Sequence, residues 1–385
     1  MHVKSLTIKN FRNCIDLNLS FNKPINLFFG NNAEGKTNLL ESIYYLATGT
    51  SHRTRNTKEL INWERDFFYL KSDIIKRSKD ISIELGYNLN NKKKVKINGA
   101  EKSELKLSKI GLNAVMFSPE DLMLVKGSPG DRRRYLNLEI SQTDNKYAYH
   151  LEQYNKTLRQ RNKFLKEKGY LSSSNNNSEY FRDQLYIWDD QLALHGLKIL
   201  ARRKEIVHKL GILSKLNSRK ISDNKDVLEL SYYSNLEKKD IYHGDREKVE
   251  LSKVDYLDKL QNREQIKEDL LKKSTNLGPH RDDLLFFVNK KDARKYASQG
   301  QIRTIILALK IAELELIKSE IGEYPVLLLD DVLSELDVKR RKHLLEISKS
   351  KVQTFITGTK KDDFLNDILN SAQIFRVKSG EVYPE

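Results

Sequence analysis

The sequence predicts an α/β protein in which a mixed β-sheet with flanking helices is interrupted by a largely helical inserted domain. Three observations predict this fold class. Short strand-like segments dominate the N-terminal part, charged helix-periodic segments extend from about residue 126 to residue 275, and strand–helix alternation returns after that. We therefore expect one head domain formed by residues 1–125 and 276–385, with residues 126–275 inserted as a lid or arm.

The N-terminal part contains short apolar segments with the alternation of β-strands. The predicted strands are residues 3–8, 17–21, 25–29, 81–85 and 94–97. The segment 25–29 stops at Gly30, and residues 38–46 then have helical spacing. Asn98-Gly99 is a strong turn signal. The head thus begins as a mixed, partly antiparallel sheet.

The middle of the chain is charged and helix-periodic. The predicted helices are residues 131–168, 179–217 and 250–273, and a small strand is predicted at residues 228–233. Residues 172–178 are a Ser/Asn run and predict an exposed loop. The segment as a whole predicts a helical insertion.

The C-terminal part returns to βαβ alternation. Strands are predicted at residues 284–288, 325–329 and 352–357, with helices at residues 299–318 and after Asp337. This order is typical of a parallel sheet covered by helices.

The charge balance favours a polyanionic partner. The chain has 69 basic and 53 acidic residues and a net charge of +16. Basic surfaces bind nucleic acids by releasing counterions from the phosphates. A generally lysine-rich proteome produces the same surplus, so the charge alone does not establish DNA binding.

The chain has the features of a soluble cytoplasmic protein. Its single cysteine, Cys14, excludes a disulfide within the chain. The N-terminal residues are typical of a strand rather than of a signal peptide. The sequence has no stretch of about 18 uninterrupted apolar residues that could span a membrane.

The most specific motif is a phosphate-binding loop between a strand and a helix. Its residues are Gly30, Asn31, Asn32, Ala33, Glu34, Gly35, Lys36 and Thr37. They match the GxxxxGK[ST] pattern, in which glycine-rich backbone and a helix N-terminus converge on phosphate oxygens. Lys36 is predicted to contact the β- and γ-phosphates of ATP, and Thr37 to bind Mg²⁺.

A second motif places two carboxylates after a buried strand. Residues 326–329 are Val-Leu-Leu-Leu, and Asp330 and Asp331 follow. The carboxyl ends of parallel strands are where α/β folds bind ligands. Asp330 is predicted to hold Mg²⁺, and Asp331 to polarise the attacking water. Two acids at a helix N-cap are the structural alternative.

Two further motifs decide the class of ATPase. Ser334-Glu335-Leu336-Asp337 follows the acidic pair, and Ser298, Gln299, Gly300 and Gln301 begin a helix far downstream of Thr37. In ABC ATPases a signature helix of this kind faces the γ-phosphate held by the partner subunit. The four motifs in this order therefore predict an ABC-type P-loop ATPase head.

Several longer strings are similar to one branch of that superfamily. They are Asn10-Phe11-Arg12-Asn13, residues 118–122, residues 126–134 and residues 277–283. With the motif order, they resemble the RecF family of the SMC/Rad50-like ABC ATPases, from residue 3 to the end. The resemblance implies ATP-dependent homodimerisation, binding of double-stranded or gapped DNA, and action with RecR and RecO to load recombinase.

The resemblance also implies roles for individual residues. Residues 30–37 would be the Walker A motif, residues 326–331 Walker B, residues 298–301 the signature, and Ser334 and Asp337 the D-loop. Lys36 and Asp331 would be catalytic, and Arg12 resembles a nucleotide-contacting arginine. Asp331 stands where ABC transporters usually have Glu, which predicts slow turnover. No switch histidine follows residues 352–357, and Thr357 or Thr359 takes that place.

Other charged residues keep two interpretations. Arg132, Arg133 and Arg134 only partly share a helix face, so one or two are predicted to contact DNA phosphates and the rest to be solvated or paired. His280 and Arg281 fit either a ligand contact or a salt-bridged turn. No zinc site is expected, because the histidines and Cys14 lack metal-ligand spacing.

Three functions remain open at the level of sequence. The leading one is a weak, DNA-stimulated ATPase of recombinational repair and replication maintenance, whose ATP-bound dimer binds DNA. The second is the ATP-binding subunit of a membrane transporter, against which the charged insertion at residues 126–275 argues. The third is a nucleotide-gated DNA scaffold with vestigial hydrolysis.

Overall fold

The structure is a computed structural model with two compact units. It describes residues 1–90, 92–102, 111–168, 179–242, 251–361, 364 and 366–385. Unit 1 comprises residues 1–124, 213–227 and 297–385, and unit 2 comprises residues 125–212 and 228–296. These unit boundaries differ from the domain boundaries expected from the sequence, which were residues 1–125, 126–275 and 276–385. Residues 213–227 belong to unit 1, and residues 276–296 belong to unit 2 because a strand within them pairs with the strand at residues 228–234.

The chain contains both strands and helices. The strands are β1 (His2–Phe11), β2 (Cys14–Ser20), β3 (Ile25–Phe29), β4 (Phe67–Lys76), β5 (Lys79–Asn88), β6 (Lys93–Ile97), β7 (Ala100–Lys102), β8 (Ala114–Phe117), β9 (Leu228–Ser234), β10 (Lys239–Tyr242), β11 (Asp283–Val288), β12 (Lys291–Asp292), β13 (Val326–Leu329), β14 (Thr354–Gly358), β15 (Ala372–Lys378) and β16 (Glu381–Pro384). The α-helices are α1 (Lys36–Thr48), α2 (Leu122–Lys126), α3 (Pro129–Thr143), α4 (Asn145–Lys168), α5 (Glu179–Ser222), α6 (Lys253–Gln261), α7 (Arg263–Lys272), α8 (Ala293–Tyr296), α9 (Gln299–Ile321), α10 (Val338–Ser350) and α11 (Asn366–Ser371).

Unit 1 contains an antiparallel sheet in the order β2-β1-β4-β5-β6-β7. Leu6 and Ile8, which are alternate residues of β1, are buried in a core that also includes Leu39 and Leu40 of α1. This is the period-two burial expected of a sheet with one covered face. Strand β4 was not among the predicted strands, although its alternate residues are buried in the same way.

Unit 1 also contains the sheet that positions the predicted motifs. Its order is β16-β15-β3-β14-β13-β8, and all pairings are parallel except that of β16 with β15. Every residue of β13 is buried, as in a strand covered on both faces. Strand β14 lies between β3 and β13, and the three strands are parallel. The loop after β3 and the acids after β13 therefore lie at the same edge of the sheet, on either side of the end of β14.

Unit 2 combines helices with a sheet in the order β10-β9-β11-β12. The single helix predicted at residues 131–168 is in fact two helices. Asp144 ends α3 in an extended conformation, and its carboxylate accepts hydrogen bonds from the Lys146 and Tyr147 amides that begin α4. The helix predicted at 250–273 is likewise two, because Asn262 ends α6 and caps α7.

The next predicted elements are a long helix and the loop before it. The helix predicted at residues 179–217 is confirmed as α5, which continues to Ser222. The loop predicted at residues 172–178 lies outside the described residues. Across the ranges that the structure describes, no helix is both long enough and apolar enough to cross a membrane.

Candidate nucleotide-binding site

The predicted phosphate-binding loop connects β3 to α1 and closes around its own lysine. Lys36 donates hydrogen bonds from Nζ to the carbonyl oxygens of Gly30 and Asn31, each at 2.7 Å. Gly35 precedes α1 with φ of 110°, a conformation that favours glycine. The backbone before α1 therefore curls so that its amides and the helix N-terminus face one point, as anion binding requires.

Two neighbouring turns hold this loop. The Asn13 amide, between β1 and β2, donates to the Glu34 carbonyl at 3.3 Å, and the Gly380 N–H, between β15 and β16, donates to the same oxygen at 2.8 Å. A Cβ atom on Gly380 would lie 2.2 Å from the Asn13 carbonyl oxygen. Sequence reasoning gave neither Asn13 nor Gly380 a role in the loop, because their contacts join distant parts of the chain.

The first acid of the predicted Walker B motif meets the loop directly. Asp330 is buried, and its Oδ1 accepts hydrogen bonds from Thr37 Oγ1 at 3.0 Å and from Thr357 Oγ1 at 2.8 Å. Burial raises the pKa of Asp330, and the two threonine hydrogen bonds oppose that rise. The predicted Mg²⁺ residues Thr37 and Asp330 are therefore adjacent.

Thr357 joins both acids of the pair. Besides donating to Asp330, its Oγ1 accepts a hydrogen bond from the Asp331 N–H at 2.9 Å. Its position at the end of β14, between β3 and β13, accounts for this contact. Thr357, one of the two threonines considered as replacements for a switch histidine, therefore contacts both acids.

Asp331 has a constrained backbone next to the predicted D-loop. Its φ is 52°, which is unusual for a residue other than glycine. Ser334 Oγ donates to the Asp331 carbonyl at 2.7 Å. Unfavourable backbone conformations held by surrounding contacts are frequent at functional sites.

The loop lysine lies in an acidic environment. Burial lowers the pKa of Lys36, and the nearby charges of Asp331, Asp330 and Glu34 oppose that shift. Glu120, which follows β8, also raises the pKa of Asp330. A concentration of negative charge around one lysine suits a site that also takes a divalent cation.

The residues at this edge fit Mg²⁺. The described residues contain no cluster of three or more His, Cys, Asp or Glu side chains able to hold a metal ion by themselves. Mg²⁺ prefers oxygen ligands at about 2.0–2.1 Å and usually completes its shell with water and substrate phosphates. Two ligand oxygens 3.0 Å apart, such as Thr37 Oγ1 and Asp330 Oδ1, match adjacent positions of that octahedron.

The predicted signature residues form the first turn of α9. Ser298 caps the helix by accepting from the Gln301 N–H at 3.2 Å, and Gln301 Oε1 accepts from the Ser298 N–H at 3.0 Å. The Gln301 amide also donates to Asp226 Oδ1 at 3.0 Å, just beyond the end of α5. Gln299 and Gly300 complete the turn.

Arg340 connects this turn to the predicted D-loop, and sequence reasoning missed it. Asp337 caps α10 by accepting from the Arg340 N–H at 2.9 Å, and its carboxylate also pairs with the Arg340 guanidinium. The same guanidinium donates to the Gly300 carbonyl at 3.2 Å and to Thr304 Oγ1 at 2.7 Å. One side chain therefore bonds to both the predicted signature and the predicted D-loop.

Arg12 makes a bidentate pair with a buried glutamate. Its Nε and Nη2 donate to the two Glu41 oxygens at 3.1 and 3.0 Å, and its Nη1 donates to the Glu59 carbonyl at 2.9 Å. Glu41 lies on α1 and also accepts from Ser51 Oγ. Contact between Arg12 and a nucleotide stays a prediction.

The three arginines predicted for DNA differ in environment within unit 2. Arg132 is buried and makes a bidentate pair with Asp283 at 2.7 and 2.8 Å. It has no exposed surface for a phosphate, so we withdraw it from the DNA-contacting set. Arg133 donates to the Asp282 carbonyl at 2.7 Å, and Arg134 is partly exposed. These two stay predictions.

The His280 motif is built into the core of unit 2. The His280 ring hydrogen bonds to Tyr154 OH at 2.6 Å and to the Thr275 carbonyl at 2.9 Å. Asp282 accepts from Tyr232 OH and from the Asn235 N–H. These contacts give His280 a structural role in the core, but they are not the predicted salt bridge, because Asp282 and Asp283 pair with Arg203 and Arg132 instead. A ligand contact by Arg281 stays a prediction.

Comparisons with known proteins agree with this geometry. The family model described as the RecF/RecN/SMC N-terminal domain matches residues 2–382. The chain is 47% identical, over 99% of its length and 97% of the relative's, to the DNA replication and repair protein RecF of Natranaerobius thermophilus. A similar protein from Bacillus cytotoxicus is 44% identical over 99% of this chain and 98% of its own.

Solved structures give the same likeness. The structure described as the recombination mediator protein RecF-ATP in the RecFOR pathway matches with a TM-score of 0.88 and 36% identity, covering 100% of this chain and 97% of that one. An Smc head domain from Pyrococcus furiosus matches with a TM-score of 0.52 and 15% identity, covering 100% and 96%, and so supports the fold alone. The ABC-type head with an inserted helical region is confirmed as the fold class.

Proposed function

Because the chain belongs to the RecF family of the RecF/RecN/SMC superfamily, we propose that it is an ATP-dependent DNA-binding protein of recombinational repair and replication. An ATP-bound homodimer binds double-stranded or gapped DNA, and slow hydrolysis releases it. The solved relative is described as a recombination mediator with ATP in the RecFOR pathway. By that likeness, RecR and RecO are the expected partners in loading recombinase.

The observation that carries the proposal is the meeting of Lys36, Thr37 and Asp330 at one sheet edge. Thr37 and Asp330 are 3.0 Å apart, and Lys36 lies in the loop beside them, in the charge field of the acids. A loop of this form gives the phosphates converging amides, a helix N-terminus and one lysine. ATP is the substrate that such a combination fits.

The two acids have different tasks in this proposal. Asp330 and Thr37 would hold Mg²⁺, which supplies charge neutralisation on the phosphates. Asp331 would orient and polarise the attacking water, with its backbone fixed by Thr357 and Ser334. An aspartate has a shorter reach than the glutamate common in ABC transporters, which supports slow turnover.

The signature turn would complete the site of a second copy. Ser298 and the free amides of the α9 N-terminus form a second anion-binding group. Facing the γ-phosphate bound by the partner, they would make nucleotide part of the dimer interface. ATP would then control dimer formation.

Sedimentation velocity with nucleotide and DNA tests the proposal. We expect a monomer without nucleotide, a dimer with ATP and Mg²⁺, and co-sedimentation of the dimer with duplex or gapped DNA that weakens steeply with salt. A stable dimer without nucleotide, or DNA binding that does not depend on salt, would contradict it. Phosphate release measured with and without DNA separates a slow ATPase from a non-hydrolysing scaffold.

Three substitutions separate the parts of the site. Lys36→Ala is expected to abolish ATP binding. Asp331→Asn should permit binding and trap the dimer, because only hydrolysis is blocked. Ser298→Arg should bind ATP and fail to dimerise, and normal dimerisation of this variant would refute the signature assignment.

A further inference from the structure

Helix α4 carries a row of exposed cations on the side opposite its buried face. The row consists of Lys156, Arg159, Lys163 and Lys166, all exposed. Steps of three, four and three residues keep side chains on one side of an α-helix. The buried side of the same stretch is formed by Tyr154, Thr157, Arg161 and Leu165. We call the four cations the α4 basic stripe.

Most of the charge of the α4 basic stripe is not neutralised by neighbours. Within the described ranges, Lys156, Arg159 and Lys166 have no carboxylate within 4.0 Å, while Lys163 lies 3.8 Å from Glu167. That pair is solvent-exposed on both sides, with 79% and 61% of the side chains accessible. Pairs of this kind contribute little and are easily exchanged for another anion.

The spacing of the stripe suits a linear polyanion. The ten residue steps from Lys156 to Lys166 extend for about 15 Å at 1.5 Å per step. Duplex DNA carries one charge per about 1.7 Å of its axis with both strands counted, so roughly nine phosphates lie along the same length. Long flexible side chains can each reach one of them.

We propose that the α4 basic stripe contacts the phosphate backbone of double-stranded DNA and marks the DNA-facing side of unit 2. The inference rests on the proposed DNA-binding function and adds where the contact is made. A row of exposed positive charge complements a row of backbone phosphates, and each phosphate contact releases counterions.

The test compares salt dependence of duplex binding in the full-length protein with ATP. Replacing all four residues by alanine keeps a strong helix former at every position, so α4 is expected to fold. Each lost phosphate contact lowers the slope of log affinity against log salt by about 0.9, and the affinity at 0.1 M salt by up to about eightfold. The quadruple variant should therefore lose about 3 to 4 in slope, and single variants proportionally less.

One acid in the same row gives a prediction of opposite sign. Glu152 is exposed four residues before Lys156, on the same side of α4. If phosphates approach this face, Glu152 repels them. Glu152→Gln should increase duplex affinity by about two- to fivefold at low salt, an effect that general damage to the fold does not produce.

Matched controls lie on α7. Lys267 and Lys272 are also exposed lysines on a helix of unit 2, but they lie outside the α4 basic stripe. The double variant Lys267→Ala with Lys272→Ala loses two positive charges and should keep the wild-type slope. ATP binding should be unchanged in every variant.

The outcomes separate this inference from the function it rests on. If wild type binds duplex with a steep salt slope and the quadruple variant has the same slope, the α4 basic stripe does not contact DNA. The proposed function is then unaffected. A wild-type protein that binds no duplex with ATP at any salt concentration overturns both. Slope loss in the stripe variants without loss in the α7 control supports the stripe.

Discussion

Arg340 is the residue whose removal tests how the predicted signature and D-loop depend on each other. Its guanidinium donates to Gly300 O at 3.2 Å and to Thr304 Oγ1 at 2.7 Å on the first two turns of α9, while it also pairs with Asp337. The change Arg340→Ala removes all three contacts. It leaves the first turn of α9 and the start of α10 without their shared side chain.

The expected size of the effect follows from the environment of each contact. The Arg340–Asp337 pair spans one helical turn, and half of the Asp337 side chain is exposed, so it contributes about 0.3–0.5 kcal/mol. The bonds to α9 involve a charged donor and partly buried acceptors and contribute about 1.5–3 kcal/mol. A loss of about 2–3 kcal/mol in the free energy of unfolding of unit 1 is therefore expected.

Dimer formation should respond more strongly than nucleotide binding. The proposed dimer would use two signature turns. If the variant must order each turn at a cost of about 1 kcal/mol, the dimer Kd should rise roughly 30-fold. The phosphate-binding loop has no contact with Arg340 and should keep its affinity for ATP. Sedimentation velocity over a protein concentration series measures the first quantity, and titration with a fluorescent ATP analogue measures the second.

The matched control is Lys342→Ala, which removes one positive charge from an exposed position on the same helix. Arg340→Lys retains the charge but has fewer donors, and should fall between wild type and Arg340→Ala. A dimer Kd equal to that of wild type in Arg340→Ala would refute the reasoning, whatever happens to the stability.

Three further predictions follow from the same structure. Burial lowers the pKa of His52 from 6.5 to about 4, so the folded state resists protonation and stability is lost as the pH falls from 6.5 towards 4. In urea unfolding, the stability of His52→Phe relative to wild type should increase by about 2 kcal/mol between pH 7.5 and pH 5. A stability difference that does not change with pH would contradict this. Burial raises the pKa of Asp330, so the charged carboxylate costs stability once the pH is above that raised pKa. Asp330→Asn should therefore raise the free energy of unfolding by about 1 kcal/mol at pH 7, and this difference should disappear in acid. The variant should hydrolyse no ATP. Gly380→Ala places a Cβ atom 2.2 Å from the Asn13 carbonyl oxygen at a backbone φ of 82°, and should weaken ATP binding at least tenfold. The control is Gly322→Ala, which has similar backbone strain at φ of 90° but no atom within 4 Å of the new Cβ. This variant should bind ATP as wild type does.

Local signals made much of the site predictable. The strand–loop–helix context of residues 30–37 and the buried strand before Asp330 are contiguous in the sequence, so their elements could be read directly. The capping box of Ser298 and Gln301 likewise depends on neighbouring residues only. Helix breaks at Asp144 and Asn262 were missed, because the charge pattern continues across both.

The contacts that support the site could not be read from the sequence. Thr357 meets the acids because of the strand order β3-β14-β13, and Arg340 meets Gly300 because α9 packs beside α10. Asn13 meets the loop because the β1–β2 turn lies beside it. The burial of Arg132 depends on Asp283, which is distant in the chain. Such pairings are set by tertiary structure, and no local spacing encodes them.

The arrangement of β3 has a consequence for how the protein is made. Strand β3 and its loop are translated early, yet both flanking strands, β14 and β15, and the Gly380 amide that holds Glu34 are translated last. The phosphate-binding loop therefore gains its neighbouring strands and the Gly380 hydrogen bond only at the end of synthesis. We expect a chain that ends before residue 380 to bind ATP more weakly than the full chain.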